Sequence, residues 1–469
     1  MTHPSTSTPP SSFGAAGSPP SISDLLLMWK SRAMIVGAAG TILALVGAVA
    51  APEYFYPSYL VAFLFWLAPT MGCWVMTMIH WLSGGMWGQV IRRVLMATLP
   101  TMPFLLFAFF PILLPGLPGV QHIYPWAQVQ GQGHGEHGST ESAAAAEPAK
   151  SDEIKPEAAK PEAAEASPSL APVIEAWKTN IPPDHEMANK LPYLDVDAWR
   201  MRAGAIFILW IVLTWILERW AWGDSPREES IHRHWGYRLA GPSLLIFSLS
   251  VLVSSTDWSM SIQPHWYSAM YGVATMGIYA ITGLAFAIMA SSYLSEWDPW
   301  KQLDMPRHWG DLGSLLFTAT MFWTYTAFMQ YLIIYAGNLP IEGSWFVARN
   351  NHGYEWVSRM LVAFHFFVPF MCLLMRPIKR DRKLLAYVAG LLIFMELVEY
   401  YWVVIPALFP EEFTLHWTLP VAVVAIGGWW VAIVSSRLHA QLARPIYDPE
   451  YEKAIHAAIQ DHADLSVAG

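Results

Sequence analysis

Ten apolar runs, each long enough to cross the hydrocarbon core of a bilayer, dominate this chain. Crossing about 30 Å of hydrocarbon takes about 20 helical residues. The runs cover residues 32–51, 57–82, 90–114, 199–220, 237–256, 266–294, 312–338, 354–375, 382–406 and 413–438. Lipid offers the backbone no hydrogen-bond partners, so every run is predicted to be α-helical and the fold class is an all-α integral membrane protein of about ten transmembrane helices. Charged residues are scarce, at 13% against about 25% in a soluble domain. The 25 Trp and 19 Tyr suit the two membrane–water interfaces, where amphipathic rings collect. The formal charge of −9 comes largely from one acidic linker and the tail. No basic patch tracks a phosphate backbone, and nucleic acid is excluded as a partner.

The two cysteines, Cys73 and Cys372, both lie in apolar runs. This excludes a disulfide framework, a C-x-x-C-H haem attachment and a cysteine-ligated iron–sulfur cluster within the chain. Lys30, Arg92 and Arg93, Arg227 and Arg233, Lys301 and Arg307, and Arg376, Lys379 and Arg380 fall in alternate connections, whereas 52–56, 257–265 and 407–412 hold no Lys or Arg. The positive-inside rule then puts both termini in the cytoplasm of a multi-pass protein of the bacterial inner membrane. The expected plan is a disordered tail at 1–31, three helices in 32–114, a disordered periplasmic linker at 115–198, seven helices in 199–438 and a cytoplasmic tail at 439–469. The linker contains AAAAEPAKSDEIKPEAAKPEAAEASPS, which has nothing with which to build a core. Its His134, Glu136 and His137 are read as linker residues rather than as metal ligands.

Ionisable groups at membrane depth are costly and line a pathway or pair with one another. Glu396 and Glu399, in LLIFMELVEYYWVV, are three residues apart and share a helix face, with Tyr400 one turn beyond Glu396. Two carboxylates so placed share a proton or find a partner, for which Arg359 or a histidine is the candidate. The pair reads as a proton relay or as an interhelical brace. His365 lies in LVAFHFFVPF, where Pro369 cannot donate to the His365 carbonyl, so a local opening is expected there. A second constellation is SSTDWSMSIQPHWYSAMYG. Asp257, Trp258, Gln263, His265, Trp266 and Tyr267 form a predicted aromatic shelf at the outer surface, suited to a quinone head group or to docking an extrinsic subunit. Haem b needs two histidines facing each other at one depth, which His80 and His365 lack, and no Glu-x-x-His motif accompanies the carboxylate pair.

The segments DWSMSIQPHWYSAMYG, DLGSLLFTATMFWTYTAFMQYLIIYAGNLP, LVAFHFFVPF, ELVEYYWVVIPALF and FTLHWTLP resemble the polysulfide-reductase membrane-subunit (NrfD-like) family, in particular the quinone-binding-type membrane subunits of bacterial alternative complex III. The resemblance runs from about residue 199 to the Tyr447-Asp448-Pro449 tail. It implies two four-helix bundles plus two flanking helices in a quinol:electron acceptor oxidoreductase of the respiratory chain. It also implies a homologous sister membrane subunit, extrinsic periplasmic subunits carrying iron–sulfur clusters and haem c, a quinone or quinol ligand, and a terminal oxidase as a further partner. Departures are Glu399, where the family pattern has an Asp, a single acidic Glu342 in NLPIEGSW, and the long Ala-Glu-Pro insertion. The expected function is a cofactor-free membrane subunit supporting quinone binding or proton transfer and docking of redox subunits, with the main quinol site in the sister subunit. The alternatives are a purely structural scaffold of that complex and a secondary transporter, although Pro69, Pro103, Pro369 and Pro406 do not pair off as two repeats would require.

Overall fold

The computed structural model describes residues 21–114, 119–127, 190, 192–220, 226–442, 451–452 and 455–456. Among these residues there are helices and no strands. In chain order the long elements are α1 (Ile22–Ala50), α2 (Pro52–Ser83), α3 (Trp87–Leu113), α4 (Val196–Trp220), α5 (Pro226–Trp258), α6 (Tyr271–Leu294), α7 (Pro306–Gly337), α8 (Pro340–Arg349), α9 (Tyr354–Leu374), α10 (Arg382–Leu408) and α11 (Thr418–Leu442). Nine helices among the described residues are long and apolar enough to cross a membrane, and the protein is a multi-pass helical membrane protein. The seventh expected span, α7, is long enough at 32 residues but falls outside those nine, because its centre carries Thr318, Thr320, Thr324, Thr326, Trp323 and Gln330 among its aliphatic residues.

Four expected boundaries move. Helix α1 begins at Ile22 rather than in the thirties, because the Ser21 side chain accepts from the Asp24 N–H and caps it, while Leu25 and Leu26 are buried. The predicted tail at 1–31 is therefore helical over its last ten residues. The two ends of the predicted linker are also ordered. Tyr124 and Trp126 are buried, and the Tyr124 hydroxyl donates to the Trp258 carbonyl at 2.8 Å. At the other end, Leu194 is buried and Lys190 Nζ donates to the Pro264 carbonyl. The middle of that linker, with His134, Glu136 and His137, lies outside the described residues. The sixth helix starts at Tyr271, later than expected, because Gln263-Pro264-His265-Trp266 forms a turn.

Helix α2 is the hub, buried on all sides and packed against α6, α11, α10 and α5. Close approach to α6 depends on two glycines. A Cβ on Gly72 would lie 1.9 Å from the Tyr279 carbonyl oxygen, and one on Gly283 would lie 2.2 Å from the Gly72 carbonyl carbon. Small residues at crossings let membrane helices gain dispersion contacts where no hydrophobic force drives them together. The same device seats α1 on α11, where Gly37 and Gly40 meet Gly428 and Ala425. Much of the rest of α1, including Ile35, Ile42 and Val49, faces outward. The α6–α7–α9–α10 side of the molecule brings the intramembrane ionisable residues together.

Candidate functional site

Pro369 lacks the N–H that an α-helix would aim at the His365 carbonyl, and α9 answers with a π-helical stretch over Leu361–Phe367. The Val368 N–H reaches back five residues to the Ala363 carbonyl. This widened turn carries His365, which is fully buried. Glu396 and Glu399 project from α10 at the same level. Glu396 lies 14 residues from Arg382 and 12 from Leu408, about 21 and 18 Å along the axis, close to the middle of the span.

The imidazole sits between the carboxylates. His365 Nε2 is 3.2 Å from Glu396 Oε1, and His365 Nδ1 is 3.0 Å from Glu399 Oε2, although the second contact is out of line for a hydrogen bond. Trp323 of α7 completes the group. Its Nε1–H donates to Glu399 Oε1 at 2.9 Å, and its ring lies 4.0 Å from the imidazole centroid. Three helices thus converge on one polar cluster. With both carboxylates ionised and His365 neutral, two negative charges would stand in a medium of low dielectric. One proton on the imidazole halves that charge, and a second on a carboxylate cancels it.

Four buried polar atoms here have no hydrogen-bond partner among the described residues: His365 Nδ1, Glu396 Oε2, Glu399 Oε2 and the Tyr400 hydroxyl. An unsatisfied buried polar group costs about 1–3 kcal/mol. The His365, Glu396 and Glu399 ligand atoms lie within 4.8 Å of one another and could hold a metal ion. However, each ring nitrogen faces a different carboxylate, so the imidazole occupies the centre that an ion would need. The arrangement suits proton exchange better. Arg359, the sequence-based candidate partner, is exposed, with its guanidinium 4.5 Å from the Trp356 ring centroid, and takes no part.

The predicted shelf divides into separate places. Asp257 is fully buried rather than at an aqueous edge. It is paired with Arg202 through Oδ2 to Nε at 2.8 Å and Oδ1 to Nη2 at 3.2 Å, and Arg202 in turn lies over the Tyr193 ring. Its backbone carbonyl accepts from Trp199 Nε1, and Trp258 is enclosed by Phe63, Phe109, Phe207 and Trp210. Trp266 stacks on Trp345 at 4.1 Å. His265 is half-buried, and Tyr267 is exposed beneath Lys190. A surface carboxylate for docking is therefore not what Asp257 provides, because Arg202 brings in the matching charge from α4.

Gln263 leads to a residue that the sequence did not single out. Its Oε1 accepts from Arg349 Nη1 at 3.1 Å. Arg349 is fully buried, lies over the Trp345 ring at 3.2 Å, and has no carboxylate in ion-pair range among the described residues. Burial pulls this guanidinium down to about 9, so it remains charged at neutral pH. Its place follows from Pro406. A proline at that position cannot donate to the carbonyl four residues back, which is that of Trp402, and Arg349 Nε donates to it instead at 3.0 Å. The guanidinium also donates to the Val403 and Trp345 carbonyls. Pro406 in an apolar run was the signal available, since it announces an unfilled carbonyl at Trp402. Trp323 and Arg202 gave no such signal, because their partners come from distant helices.

Comparison with protein families and with curated proteins finds no match. The class defined by the fold and this cluster is a multi-pass helical membrane protein with a buried His–Glu–Glu group at mid-span.

Proposed function

We propose that this chain is a proton-carrying membrane subunit of a quinol-oxidising respiratory complex. The observation that carries the reading is the imidazole of His365 held between Glu396 and Glu399 in the middle of the helical bundle. Three titratable groups in mutual contact pass a proton from one carboxylate to the other by way of a ring with two nitrogens, with little movement of heavy atoms. Such a group has a use where proton movement across a membrane is coupled to a reaction at one face.

The sequence resemblance supplies the rest of the proposal. Quinol oxidation takes place in the complex, extrinsic periplasmic subunits with iron–sulfur clusters and haem c take the electrons, and a sister membrane subunit holds the main quinol site. In this reading His265 and Tyr267 face that extrinsic side, whereas Asp257, Trp258, Gln263 and Trp266 support them from inside. The expected location is the inner membrane, with both termini cytoplasmic.

The test is Glu396→Gln combined with Glu399→Gln in the assembled complex. The expected result is normal assembly with slowed proton-coupled quinol turnover. Unchanged turnover and proton stoichiometry would leave the cluster as an interhelical brace. That second reading is favoured by the Trp323–Glu399 hydrogen bond, which ties α7 to α10.

A further inference from the structure

We infer that the cluster holds a tightly bound water molecule on the side formed by His365 Nδ1, Glu396 Oε2, Glu399 Oε2 and the Tyr400 hydroxyl, and that this water joins the two carboxylates. The inference rests on the proton-carrying reading only for its role, because the site itself is argued from hydrogen-bond inventory. All four atoms are buried and without partners among the described residues. They also belong together. Nδ1 and Glu399 Oε2 are 3.0 Å apart, and Glu396 and Tyr400 are one helical turn apart on α10.

One water matches this set. It has two hydrogens to donate and two lone pairs with which to accept, and a buried water typically makes two to four hydrogen bonds. The Tyr400 hydroxyl and a protonated Nδ1 are donors, while the two carboxylate oxygens are acceptors. A water placed among them donates to Glu396 Oε2 and Glu399 Oε2, accepts from Tyr400 and His365, and leaves none of the four unsatisfied. A purely apolar filling would satisfy none of them.

The water gives the proton a second route besides the imidazole. When Glu396 carries the proton and His365 Nδ1 is bare, the water accepts from Glu396 Oε2–H and Tyr400 and donates to Nδ1 and Glu399 Oε2; the Oε2–H bond then breaks as the water oxygen gains that hydrogen, and the water gives one of its own hydrogens to Glu399 Oε2. The water is regenerated, Glu396 becomes the carboxylate and Glu399 the acid, and no electrons change hands. Tyr400 orients the water by donating to it.

Bound water can be seen by X-ray radiolytic labelling of the full-length protein in nanodiscs prepared in heavy-oxygen water, because hydroxyl radicals made in place mark the side chains that touch them. Tyr400 is expected to take up heavy oxygen at a rate near that of the exposed Tyr267. That rate should be at least about tenfold above Tyr124, which is equally buried but has its hydroxyl satisfied by the Trp258 carbonyl. Labelling of Tyr400 no faster than Tyr124 would overturn the inference. An infrared measurement on the same sample separates the two readings. If Tyr400 is unlabelled while the glutamates exchange protons, the water is wrong and the proton role stands. If Tyr400 is labelled and no glutamate exchanges protons, the water stands and the proton role falls.

Discussion

Trp323→Phe removes one hydrogen and part of one ring from the centre of the site and leaves the stacking face on His365 largely in place. Its Nε1–H is the group that donates to Glu399 Oε1 at 2.9 Å. A hydrogen bond to an ionised group is worth about 1.5–3 kcal/mol, against about 1 kcal/mol for a neutral pair. The exchange is therefore expected to destabilise the protein by about 2–4 kcal/mol if Glu399 is the ionised member, once a small cavity term is added. Glu399→Leu leaves the same Trp323 N–H without an acceptor and costs a similar amount. In the double variant neither group is left unpaired, because both partners are gone. The two changes together should then cost less than their sum by about 1.5–3 kcal/mol. Steric-trap unfolding in bicelles, which measures unfolding free energy in a bilayer-like setting, reports all three values. Simple additivity would show that the Trp323–Glu399 bond contributes nothing and that α7 is held to α10 by packing alone.

Gly283→Ala should lower thermal stability by at least about 2–3 kcal/mol, since its methyl group would meet the Gly72 backbone, which cannot move aside as a flexible side chain would; a thermal-shift assay in detergent checks this, with Gly204→Ala, where nothing lies within 4 Å, as the neutral control. Asp257→Asn should destabilise by about 1–3 kcal/mol, because it takes the matching charge from Arg202 inside the fold, and the loss should shrink in an Arg202→Gln background. Arg349→Gln should cost more in the parent than in Pro406→Ala, where a restored N–H returns to the Trp402 carbonyl; equal costs in the two backgrounds, read by the same thermal assay, would refute the account of why Arg349 is buried.

Most of the helices were legible from residue type alone, because an apolar run of membrane length has one way to satisfy its backbone. The α7 segment shows where this signal weakens. Its Thr and Trp residues lower its hydropathy, and Trp323 among them makes the contact with Glu399. The Glu396/Glu399 spacing announced a shared face, and Pro369 announced an opening at His365. That His365 would stand between both carboxylates was not legible, since it depends on how α9 packs on α10. The enclosure of Asp257 is not legible for a related reason. Its neighbours Trp258, Trp266 and Tyr267 look like an interface belt, whereas the partner that takes it inside, Arg202, lies 55 residues away. Ser21 and Asp24 formed a readable helix cap beneath a tail whose composition suggested no structure.

The proton-carrying reading requires Glu396, Glu399 and His365 to hold exchangeable protons in the membrane interior. The most direct measurement is infrared difference spectroscopy of the full-length protein in nanodiscs across a pH step, in light and heavy water, reading the carboxylic-acid carbonyl stretch. The expected result is a band from a buried carboxylic acid that shifts in heavy water and is lost or displaced in Glu396→Gln or Glu399→Gln. No such band anywhere across the step, or a band unchanged in both variants, would contradict it.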